Sequence, residues 1–91
     1  MKIEIEKTLV IGTGHIREED NRWLASLDKD QVDLVLDKFE YGWRIKITDE
    51  IDLRIPKPIQ DCIGFGRSHN CDWIAIDRDG LQYEGLEVFD W

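Results

Sequence analysis

The residues in this chain whose types could carry chemistry are two histidines and two cysteines, His15, His69, Cys62 and Cys71. Together they would form a Cys2His2 donor set for a tetrahedral ion such as zinc, or a thiolate with an imidazole base beside it. The spacing argues against both. Structural zinc sites take their ligands from close pairs such as Cys-x2-Cys, and the one close pair here, His69-Asn70-Cys71, has an untypical gap. Nothing in the sequence brings an imidazole within hydrogen-bond reach of a thiol. Both cysteines read more simply as small buried or half-buried side chains. A metal- or thiol-dependent enzyme built on these four residues is therefore the alternative reading.

Other fragments of motif are incomplete in the same way. Gly12-Thr13-Gly14-His15 follows an apolar run, as a phosphate loop would, without the third glycine or the Lys-Ser/Thr that closes a nucleotide motif. A pocket under this loop would make the chain a small-ligand regulatory module, a third reading. Asp77-Arg78-Asp79-Gly80 starts like a calcium loop but lacks the third oxygen ligand before its glycine, and Asp with Gly is what a tight reversal uses. No cofactor is implied.

Charge is the more informative property. The chain of 91 residues has a formal net charge of −8, and from Asp72 onward six acids, Asp72, Asp77, Asp79, Glu84, Glu87 and Asp90, stand against one base, Arg78. Such a field repels phosphates and membrane surfaces and attracts basic ones. The partner expected is a basic protein, with a nucleic-acid-binding surface as a fitting target. Direct nucleic-acid and membrane binding are not expected. Glutamates interrupt the amino-terminal run where a signal peptide needs an apolar core, so a cytoplasmic protein, monomeric or homodimeric, is expected.

The elements that must position these residues follow from hydropathy. Ile3, Ile5 and Leu9-Val10-Ile11 predict a first strand ending at Gly12, and Ile16, Trp23, Leu24 and Leu27 predict a helix over 16–27. Alternation at Val32, Leu34 and Leu36 and again at Trp43, Ile45 and Ile47 predicts an antiparallel hairpin over 32–48, with Gly42 at the reversal. Pro56 and Pro58 suit the start of a second helix that presents Ile59, Cys62, Ile63 and Gly66 on one face. In that helix Gly64 and Gly66 cost about 1 kcal/mol each unless a close backbone contact compensates. Trp73 to Ile76 predicts a core strand, and Leu86 to Trp91 an optional last one. Trp23, Trp43 and Trp73 are expected inside or half inside, and Trp91 is expected to seal the core edge or anchor an interface.

The expected architecture is a single α+β domain over 1–91, a small two-layer sandwich. Its antiparallel sheet has four to five strands with two helices on one face, in the βαββαβ order of ferredoxin-like folds. Thr13-Gly14-His15-Ile16, Tyr41-Gly42-Trp43, and Cys71-Asp72-Trp73 with Asp77-Arg78-Asp79-Gly80 and a terminal Asp90-Trp91 carry a resemblance over nearly the whole chain. The sequence resembles a family of small uncharacterised proteins of bacteria, plasmids and phages, classed as a domain of unknown function. The resemblance implies an accessory protein of a mobile element that binds and blocks a host protein, such as an anti-CRISPR or anti-restriction factor. The residues expected to dock on the basic partner are Asp72, Asp77, Asp79, Glu84, Glu87 and Asp90, with Trp91 as an apolar anchor.

Overall fold

The computed structural model describes residues 3–27, 34–50 and 52–90. Strand β1 (Thr8–Gly12) leads through one 3-10 turn (Thr13–His15) into helix α1 (Glu18–Ala25). Strands β2 (Leu36–Phe39) and β3 (Gly42–Lys46) follow, then helix α2 (Lys57–Ser68) and strand β4 (Trp73–Asp77). This is the predicted α+β order. The hairpin is confirmed from Leu36 to Lys46; Val32 and Asp33 of the predicted range lie outside the described residues.

The sheet runs β1-β4-β3-β2, with β1 parallel to β4 and the other pairs antiparallel. It is mixed, where an all-antiparallel sheet was expected. The ferredoxin-like arrangement also gives way, because β4 lies between β1 and β3 and runs parallel to β1, whereas that arrangement places β1 between β4 and β3 with every neighbouring pair antiparallel. Alternation along a strand is the same in parallel and antiparallel ladders, so neighbour and direction are not written locally.

The register sets the two faces of the sheet. Leu9, Ile11, Ile74, Ile76, Ile45, Trp43 and Leu36 share one face, and both helices lie on it. Helix α1 contributes Leu24, and its Asn21 Oδ1 accepts the Trp43 indole N–H at 2.9 Å. Helix α2 contributes Ile59, Cys62 and Ile63, each fully or almost fully buried. Gly66 is the position where α2 lies against the sheet: a Cβ there would stand 2.5 Å from Ile74 Cγ2 and 2.7 Å from Ile47 Cδ1. At Gly64 a Cβ would meet nothing, so Gly64→Ala is expected to stabilise the protein by about 0.5–1 kcal/mol in a denaturant titration.

No helix covers the other face among the described residues. Trp73 is nonetheless 8% exposed, because Arg44 stacks on its ring at 4.0 Å and its indole N–H donates to Glu6 Oε2 at 2.6 Å. Trp23 is half buried beside the core, as expected. Trp91 lies outside the described residues.

Both ends of the chain differ from expectation. Residues Ile3 and Ile5 are 77% and 79% exposed, and the first strand starts only at Thr8. The reason is pairing: the ladder with β4 begins at Thr8 opposite Trp73, and before it there is no strand to pair with among the described residues. Among the described residues the optional last strand, expected over Leu86 to Trp91, is absent too. Residues 81–90 form an irregular strap along the outer edge of β1, where Gly12 N–H donates to Leu81 O at 2.9 Å and the Tyr83 hydroxyl to Val10 O at 2.9 Å.

Candidate functional site

The strap is held by a histidine. His15 stands in the 3-10 turn after β1, 2% exposed, and both its ring nitrogens bond to the strap's main chain. Tyr83 N–H donates to Nε2 at 2.8 Å, so Nε2 carries no proton. The proton is therefore on Nδ1, which donates to Glu87 O at 2.8 Å. A further main-chain bond, Phe89 N–H to Gly14 O at 2.7 Å, completes the attachment. His15 is thus a structural latch, with neither nitrogen left to act as a base or to ligate a metal.

The other three candidates do not join it. Cys62 Sγ points at the carbonyl oxygen of His15, 4.0 Å away, and not at its ring. His69 packs on Phe65 at 4.7 Å between ring centroids, and Phe65 packs edge-on against Tyr83 at 5.4 Å. Cys71 Sγ lies 3.7 Å from the His69 carbonyl oxygen. Among the described residues, no three His, Cys, Asp or Glu side chains are grouped so as to hold a metal ion.

Burial pushes the Cys62 thiol up from its ordinary value of 9.0 to about 12, with smaller contributions from the negative charges of Asp61 and Asp20. Raised in the folded state, the thiol contributes stability that is complete below pH 9 and is lost as the pH rises toward 12, at about 1.4 kcal/mol per unit. Between pH 9 and 11 the unfolding free energy of Cys62→Ala is expected to fall less steeply than that of the parent, measured by urea titration. In a maleimide assay of the native protein Cys62 is expected to stay unlabelled while half-exposed Cys71 reacts.

The acidic residues gather by topology. Because β1, β2 and β4 run in the same direction, their carboxyl ends meet at one end of the sheet. There Arg78 N–H donates to Tyr41 O at 3.0 Å, tying the turn after β4 to the β2–β3 hairpin turn. Asp77 and Asp79 lie in the first of these turns, and the Asp77 carboxylate accepts the Asp79 N–H at 2.9 Å, the turn role expected of it. Helix α1 starts at the same end. Its Asp20, 1% exposed, accepts the Arg17 N–H and is clamped by the Arg17 guanidinium through Nε at 3.0 Å and Nη2 at 2.9 Å. Asp20, at the third position of α1, takes the acid's half of a capping box by accepting the Arg17 N–H, while Arg17 has no side-chain acceptor to offer in return.

The strap then brings Asp90 and Phe89 beside Glu18, Glu19 and Arg22, lining one cleft with Arg17, and Glu87 into the adjoining cleft with Lys57 and Asp61. Four of the six predicted docking acids, Asp77, Asp79, Glu87 and Asp90, therefore share one end, joined by Glu18 and Glu19, which charge counting had passed over. Glu84 precedes Gly85, where the strap crosses α2 beside Phe65 and Leu86. Asp72 stands before β4, roughly 16 Å from Asp77 at strand rise, and its Oδ2 accepts the Lys7 N–H at 2.8 Å. No helix among the described residues is long and apolar enough to cross a membrane.

No curated protein and no solved structure matches the chain. A family model does match it, over residues 8–91, starting at the first residue of β1 and running through the strap. This chain belongs to the family of unknown function DUF5983, as its C-terminal domain.

Proposed function

We propose that the protein is a protein-binding accessory factor of a bacterial mobile element, whose acidic end docks on a basic, nucleic-acid-binding surface of a host defence or regulatory protein and occludes it. One observation carries the reading. Exposed carboxylates from three separate parts of the chain, α1, the turn after β4 and the strap, converge at one end, and among the described residues Glu18, Asp79 and Asp90 have no ion-pair partner. Solvated negative charges of this kind accelerate encounter with a positive surface and fix its orientation.

The test is charge reversal combined with salt. Asp79→Lys with Asp90→Lys is expected to weaken capture of the basic partner about tenfold or more while leaving the thermal midpoint near that of the parent. Asp77 is left alone because its carboxylate holds the turn. Glu4→Lys, exposed ahead of β1 at the opposite end, is the control and should bind normally. A partner retained by the doubly reversed protein at low salt would end this reading.

A further inference from the structure

At the same end, on the side away from the strap, a cleft of about 430 Å3 opens between the β2–β3 hairpin turn, α1 and the turn after β1. Three aromatic side chains line it: Phe39, half buried, Tyr41, 40% exposed, and Trp43, at the cleft floor. Two cations lie over those rings. Lys38 Nζ is 5.6 Å from the Trp43 centroid, and the Arg78 guanidinium is 4.9 Å from the Tyr41 centroid. In a chain with 20 acids and 12 bases, neither cation has an ion-pair partner among the described residues. The polar rim consists of Thr13, Asn21 and Glu40, and Asn21 is already fixed by the Trp43 indole.

We propose that this cleft binds a small planar heterocycle carrying one phosphate, a ligand of the nucleoside monophosphate class. The volume lies within the range of small-ligand sites, which are typically mostly apolar with a few convergent polar groups. The exposed Tyr41 ring offers a stacking face, Lys38 and Arg78 supply charge-assisted donors for the phosphate, and the Glu40 carboxylate accepts from ribose hydroxyls. Charge also sets the upper limit of the class. Lys38 and Arg78 are the cations that line the cleft among the described residues, and Glu40 stands at its rim, so a second and third phosphate find no further cation there. A polynucleotide is opposed by the whole field of the chain. Thr13 at the margin places the cleft beside the Gly12-Thr13-Gly14 loop, under which the third reading of the sequence put a pocket.

The test uses the purified protein with no partner present, so it stands apart from the docking experiment. Isotope-labelled protein is titrated with adenosine monophosphate, adenosine, inorganic phosphate and adenosine triphosphate while the amide signals of Gly42 and Arg78 are followed. Adenosine monophosphate is expected to give saturating shifts, adenosine and inorganic phosphate to bind about tenfold more weakly or worse, and the triphosphate to bind no more tightly than the monophosphate. Lys38→Gln and Arg78→Gln should each weaken binding several-fold, Tyr41→Ala likewise, and Tyr41→Phe should bind as the parent does. The proposal is overturned by the absence of saturable shifts up to roughly 10 mM, by inorganic phosphate binding as well as the nucleotide, or by full affinity in the Lys38→Gln/Arg78→Gln protein.

Discussion

Gly42→Ala is expected to prevent stable folding, with a loss of at least about 3 kcal/mol. A Cβ on residue 42 would fall inside van der Waals contact of the Ile76 carbonyl oxygen, 2.9 Å from its carbonyl carbon and 3.2 Å from Asp77 Cα. All three obstacles are backbone atoms of the central strand, so no side-chain rotation relieves them. Relief requires moving β3 away from β4 at the Gly42–Asp77 pair, and the ladder there joins both hairpin strands to the rest of the sheet. The check is circular dichroism with a denaturant titration, read against Gly64→Ala, the one helical glycine with open space around it. If Gly42→Ala unfolds at the parent's denaturant midpoint, the close approach of β3 and β4 described here is wrong.

His15→Ala is expected to free the strap and lower the unfolding free energy by about 3 kcal/mol. The substitution empties the volume of a buried ring and removes one acceptor and one donor at once, leaving Tyr83 N–H and Glu87 O to find water. Because the strap's attachments to the turn after β1 run through His15 and Gly14, the loss should be local before it is global. Limited proteolysis is therefore the more telling measurement: cleavage within residues 81–90 should accelerate at least tenfold while the sheet persists. Tyr83→Phe is the companion variant. It removes only the hydroxyl bond to Val10 O and should cost about 1 kcal/mol without exposing the strap. Unchanged cleavage in His15→Ala would show that the ring does not hold the strap. The same variant bears on function, since Glu87 and Asp90 keep their places at the acidic end only while the strap is attached; partner capture should weaken with it.

The sequence and the structure agree where the signal is local. The apolar face of α2, Ile59, Cys62, Ile63 and Gly66, was legible because helical spacing alone decides which side chains point the same way. The burial of β4 was legible as well, since Trp73 to Ile76 run without a polar interruption. The tight turn at Asp77–Gly80 was written in residues whose side chains make that turn themselves. Gly42 was identified as a glycine that had to be one, yet for a different reason. It was read as backbone freedom at the hairpin reversal, and the structure requires it for the closeness of a strand from the other half of the chain.

What the residues settled locally was therefore the element order, the α+β class, the buried faces and the strong excess of acid toward the carboxyl terminus. Tertiary structure alone decided the rest: that β1 pairs parallel with β4, that residues 81–90 are a strap and not a strand, and that His15 latches it instead of meeting Cys62. It also decided which acids meet, drawing Glu18 and Glu19 to Asp90, at the same end of the sheet as Asp79, while leaving Asp72 at the far end. The physical reason is the same in each case. Periodicity, capping and turn chemistry act over a few residues and can be read along the chain, whereas strand direction, burial of a polar ring and convergence of charge depend on contacts between segments some sixty to seventy residues apart, such as His15 with Tyr83 and Glu87, which no local pattern records.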